Sequence, residues 1–178
     1  MQTCVVNSVW HGKMEMGKEM TLAKLQVQCN TLSHVKSTNY QNKKPPEQLI
    51  IKFFDGSTML VFKTGKFRIM GGKWINDLDA HFNIFRVTLL CDDIPNIKLQ
   101  TMTAVIQLPH HKVNLALLAD NVKSYYDPER FPAVHVETYK PLNVNVFASG
   151  KVVIMGLKQE SIVQNIEADL TALLYKLL

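Results

Sequence analysis

Apolar and polar residues fall into a repeated pattern along this chain. Leu49–Phe54, Thr58–Phe62 and Lys66–Met70 are β-branched or aromatic runs, separated by the tight turn signals Asp55-Gly56 and Thr64-Gly65. Runs of that length joined by X-Gly pairs predict three antiparallel strands linked by hairpins. Further on, Asn143–Phe147, Ser149-Gly150 and Lys151–Met155 read the same way, preceded by the extended run Phe131–Glu137 and a Lys140-Pro141 turn. Strands are also predicted over Cys4–Trp10 and Ile97–Ile106, which are rich in strand-forming residues.

A helical spacing appears four times. Thr21 is a predicted cap for a helix carrying Leu22, Leu25 and Cys29. A second helix starts near Ile75, with Ile75, Leu78, Phe82 and Phe85 on one face. Asn114 caps the short apolar run Leu115–Ala119, and the chain closes on an amphipathic helix carrying Ile162, Ile166, Leu170, Leu173 and Leu177. Residues 33–47 are polar, end in Lys43-Lys-Pro-Pro, and read as a long loop.

The order of elements repeats because the sequence does. Phe147–Lys158 lies 85 positions after Phe62–Lys73, and seven of the twelve residues are identical: Phe, Gly, Lys, Ile, Met, Gly and Lys. Agreement at one fixed offset marks a tandem duplication. Each copy reads as β-α-β-β-β-α, the first over residues 1–91 and the second over 96–178, with a connector at 92–95. Two such halves are expected to join their sheets edge to edge.

Composition narrows the classes. The 178 residues are 47% hydrophobic and 20% charged, which is globular rather than disordered. No apolar run reaches the roughly 18–20 residues of a membrane helix, so a soluble intracellular protein is expected, with no membrane partner. Three scattered cysteines, Cys4, Cys29 and Cys91, form no disulfide framework or metal knuckle and read as reduced thiols. No phosphate loop, nucleophile elbow or His/Cys constellation occurs; His110-His111 and Asp92-Asp93 lack partner spacing and read as solvated. Neither an enzyme nor a cofactor or metal site is expected.

The net charge of +5 is mild, so the placement of the lysines matters more than their number. Strand alternation puts Val144, Val146, Val152 and Ile154 on one face, suited to cover by helices. The opposite face then carries Asn143, Asn145, Phe147, Val153 and Met155 in the second copy, and Thr58, Leu60, Phe62, Arg68 and Met70 in the first. Lys66, Lys73, Lys151 and Lys158 recur at the ends of those strands. A second protein layer or a dimer partner is the ordinary explanation for an apolar open sheet face. An apolar centre with basic rims also suits minor-groove DNA.

The run Phe131-Pro, Lys140-Pro141, Val146-Phe147, Ser149-Gly-Lys-Val-Val and Gly156-x-Lys158 resembles the second repeat of the TATA-box-binding protein family. Tyr126–Phe131 resembles the segment before it, and Lys98-Leu-Gln100 its opening strand. Val61-Phe62, Thr64-Gly-Lys66 and Gly71-x-Lys73 match the first repeat more weakly. The resemblance implies an α+β saddle: two repeats forming one curved antiparallel sheet, with helices on the convex face. It further implies that the concave face binds the minor groove, with phenylalanines wedged between base steps, a mode for which this family is a standing example.

Residue by residue, the resemblance makes Phe131 and Phe147 the wedge pair of the second repeat. In the first, Phe62 is kept but its partner position holds Pro46. Asn7 matches a central asparagine, whose second-repeat equivalent is Thr101. Val9, Thr103, Leu60, Asn145 and Val153 fall on the groove floor, joined by Arg68, Met70 and Met155, which depart from the family pattern. Lys52 and Glu137 stand where the family has a lip arginine, and Lys66, Lys73, Lys151 and Lys158 are phosphate contacts. Implied partners are double-stranded, A·T-rich promoter DNA, a B-type initiation factor and RNA polymerase; a homodimer when free of DNA is also expected. The divergence suits a viral or early-branching lineage, so the expected location is the nucleus or, for a viral protein, the cytoplasmic site of transcription. The competing expectations are a protein-interaction module that has lost DNA binding, and an accessory domain of a nucleic-acid enzyme.

Overall fold

The computed structural model describes residues 4–16, 19–42, 46–71, 78–89, 97–109 and 112–177. They divide into two compact units, one of residues 7–100 and the other of residues 101–178 together with 1–6. The fold is α+β, with antiparallel strands throughout.

In the first unit, β1 (Cys4–Lys13), α1 (Leu22–Cys29), β2 (Val35–Gln41), β3 (Gln48–Phe53), β4 (Thr58–Phe62), β5 (Lys66–Met70) and α2 (Leu78–Leu89) follow in order. The strands lie β2-β3-β4-β5-β1. The second has β6 (Lys98–Gln107, whose first three residues belong to the first unit), α3 (Leu115–Asn121), β7 (Ser124–Tyr125), β8 (Ala133–Val136), β9 (Asn143–Phe147), β10 (Lys151–Leu157) and α4 (Ser161–Leu177), with strand order β6-β10-β9-β8-β7. The connector 92–95, Lys73, Cys91, the helix start at Ile75, His110 and His111 fall outside the described residues.

Two expectations are corrected. The polar segment 33–47 is not all loop: residues 35–41 form β2, paired with β3 from Gln41↔Gln48 to Val35↔Phe53. It escaped the pattern because an edge strand with no fully buried residue shows no apolar alternation. The buried stripe of α4 runs through Val163, Ile166, Leu170 and Leu174, so Ile162, Leu173 and Leu177 lie at its margins. That is a rotation of one residue about the helix, within the tolerance of a 3.6-residue repeat.

Burial follows the predicted faces. In β4 and β5 every second residue is buried, and Met59, Val61 and Ile69 are fully enclosed with Leu22, Leu25 and Cys29 of α1. Burial also pushes the Cys29 thiol up to about 11, so it stays protonated. Val144, Val146, Val152 and Ile154 are fully buried in the second unit. Thr21 Oγ1 accepts the Lys24 N–H at 3.2 Å and Asn114 Oδ1 the Leu117 N–H at 3.1 Å, capping α1 and α3.

The duplicated hairpins are closed by the same bonds. Gly65 N–H donates to Phe62 O, and Gly150 N–H to Phe147 O, both at 2.9 Å. Both glycines have φ of 77°, which other residues rarely adopt. Each glycine's carbonyl then accepts a strand-end amide, from Met14 and Leu108 respectively, again at 2.9 Å. The identity of the two segments is thus a constraint of the turn.

Candidate nucleic-acid interface

The face opposite the helices is built by strand register. In the first unit, Cα partners run Asn39–Ile50–Leu60–Arg68–His11 across five strands, and a parallel rung runs Ser37–Lys52–Thr58–Met70–Val9. Leu60, Phe62, Met70 and Val9 are half-buried, whereas Lys52, Lys66, Arg68 and His11 are exposed. The face therefore has an apolar middle with cations around it.

In the second unit one rung runs Tyr125–His135–Asn145–Val153–Val105, and Asn143, Met155 and Thr103 form its neighbour. Phe147, Val153, Met155, Thr101 and Thr103 are half-buried; Lys151 and Lys158 are exposed. Phe131 and Phe147 meet edge to face with ring centroids 5.8 Å apart, and Phe131 is 47% exposed. That geometry suits the aromatic quadrupole and presents an apolar edge to solvent.

Pro46 and Phe62 take the corresponding places in the first unit. They line a hollow of about 390 Å³ with Lys63 and Lys66 at its sides, so a gap stands where the second unit has a ring pair.

Both asparagines are oriented by their oxygens. Asn7 Oδ1 accepts the Gly71 N–H at 2.9 Å. Asn145, only 8% exposed, has Oδ1 3.2 Å from His135 Nδ1, a contact in which the imidazole N–H donates. With the oxygen engaged, each amide has its NH₂ donors to offer an outside acceptor.

Glu137, at the position of an expected cation, lies in a 3-10 turn and accepts from Lys140 Nζ at 2.7 Å. That bond and the lysine charge hold its carboxyl below the usual carboxylate range. Its negative charge is therefore balanced locally.

Sequence reasoning missed His11, Lys13 and His135 as members of these faces. His11 and Lys13 follow Val9 at steps of two, so the alternation that found Val9 contained them. His135 needed the register of β8 against β9. Among the described residues, no three His, Cys, Asp or Glu side chains come together, and no helix is long and apolar enough to cross a membrane.

Two repeated units, each with helices on one sheet face and a basic-rimmed apolar face left open, define a known class of α+β protein. The solved structure of Methanococcus jannaschii TBP is similar over 99% of both chains, with a TM-score of 0.75 and 26% identity. Residues 96–177 match the family model of transcription factor TFIID, or TATA-binding protein. The TATA-box-binding protein of Methanococcus aeolicus is 32% identical over 139 residues, 72% of this chain and 76% of that one. That of Thermoplasma volcanium is 35% identical over 131 residues, 65% of this chain and 70% of that one. This chain belongs to the TATA-box-binding protein family, a family of transcription factors.

Proposed function

We propose that the protein is a transcription initiation factor that lays its open sheet faces in the minor groove of A·T-rich duplex DNA and bends it. The observation that carries this reading is the Phe131–Phe147 pair, an exposed ring against a half-buried one at the end of β9. A ring edge pushed between base steps costs stacking energy, which wider contact with the opened groove offsets.

The polar groups fit the same surface. The minor groove of A·T pairs offers only acceptors, adenine N3 and thymine O2, whereas G·C pairs add a donor. Asn7 and Asn145, with their oxygens engaged, meet those acceptors with N–H groups, and Arg68 adds a cation suited to a narrow, negative groove. Lys52, Lys66, Lys151 and Lys158 meet the phosphates, as does Lys73. Met70 and Met155 conform to varied surfaces, so sequence preference is relaxed.

Family membership supports the further partners. A B-type factor docks on the second unit and RNA polymerase follows; without DNA, two copies pair through the same apolar faces. The site of action is wherever the DNA is transcribed: the nucleus, or the cytoplasm for a viral protein.

The test is a mobility-shift titration on A·T-rich and G·C-rich duplexes at two salt concentrations. Tighter binding to the A·T-rich duplex, weakening with salt, is expected. Absence of binding to either would contradict the reading and favour a protein-interaction module.

A further inference from the structure

A hollow of about 630 Å³ in the first unit adjoins Phe62 and includes cations that the contacts assigned above do not use. Lys13, Lys66, Arg68 and Lys98 line it with His11, and Phe62 forms one wall. No carboxylate lines it among the described residues. Four fixed positive charges around one cavity repel each other, so the arrangement is favourable when an anion fills it.

Among the described residues, the second unit does not repeat these charges. Its equivalents of His11, Lys13 and Arg68 are Val105, Gln107 and Val153, which leaves Lys151 as the counterpart of Lys66. An exchange of bulk accompanies the change. Gly12 pairs with Phe67, whereas Ile106 pairs with Val152 at the same place in the second unit. A Cβ on Gly12 would stand 2.4 Å from Phe67 Cζ, so the missing side chain is what admits the Phe67 ring. Gly12 and Phe67 both line the hollow.

We infer that this hollow is a phosphate clamp particular to the first unit. It takes backbone phosphates of the duplex on the open face, and its electrostatic grip offsets the wedge missing at Pro46. Lysines serve as point charges for phosphate oxygens, while the Arg68 guanidinium, turned to the groove, adds its charge to the field of the hollow. This rests on the DNA-binding reading above, and it assigns Lys13 and Lys98 a role that reading does not use.

The salt dependence of affinity for an A·T-rich duplex tests it. Each phosphate neutralised contributes about −0.9 to the slope of log K against log salt. Lys13→Gln with Lys98→Gln is expected to make the slope shallower by about 1.8, while Lys13→Arg with Lys98→Arg keeps it. Lys176→Gln, on α4, leaves it unchanged. A wild-type slope retained by the Gln pair overturns the clamp, as does an equal loss in the Gln and Arg pairs. Failure of the unaltered protein to bind DNA at all would instead remove the underlying reading.

Discussion

The two units share one skeleton but carry different open faces. Their hairpins close on identical glycine bonds at 2.9 Å, and Ile69 and Ile154, equivalent by the repeat, are both fully buried. On the other side, the first unit sets Leu60, Arg68 and His11 where the second sets Asn145, Val153 and Val105. Turn geometry and core packing tolerate little change, because a lost methylene or a strained turn costs stability directly. A face that meets an outside surface is free of that constraint. The comparison separates what holds the units together from what they recognise.

The largest effect is expected where the units agree. Ile69→Ala and Ile154→Ala should each cost about 2–5 kcal/mol, since both delete buried atoms from a packed sheet–helix layer. Urea denaturation of the two variants measures this. Similar costs would support equivalent cores; a change near zero at either position would break the equivalence.

A smaller effect is expected where they differ. Pro46→Phe places a ring in the gap beside Phe62 and should raise affinity for A·T-rich DNA by about fivefold, the lower end of the about 1–3 kcal/mol for an aromatic stacked on a base. Fluorescence anisotropy reads it, alongside a larger bend. Unchanged affinity and bend would mean that the gap is not the place of a missing wedge.

Much of this division was legible in the sequence, for physical reasons. Strand alternation is a direct consequence of the pleat, so the pattern alone puts Val144, Val146, Val152 and Ile154 on the covered face, where all four are fully buried. The caps at Thr21 and Asn114 were legible because few side chains can satisfy a helix's first amides. Residues 35–41 were not: their register shifts between Val35 and Ser37, and their burial never alternates cleanly. Nor was the His135–Asn145 contact, which joins neighbouring strands through a register set by the intervening turn. The cationic hollow depended on Phe67 crossing Gly12, and a lone strand glycine carries no record of what fills its space.

On the function proposed above, the open faces bend DNA by wedging, and the second unit wedges more strongly. The most direct measurement is the end-to-end distance of an A·T-rich duplex carrying a fluorophore at each end, with the unaltered protein, Phe62→Ala and Phe147→Ala. Phe147 stands in a ring pair and Phe62 beside a gap. Phe147→Ala is expected to relax the bend and lower affinity by at least about tenfold, more than Phe62→Ala does. A bend and an affinity unchanged in Phe147→Ala would contradict it.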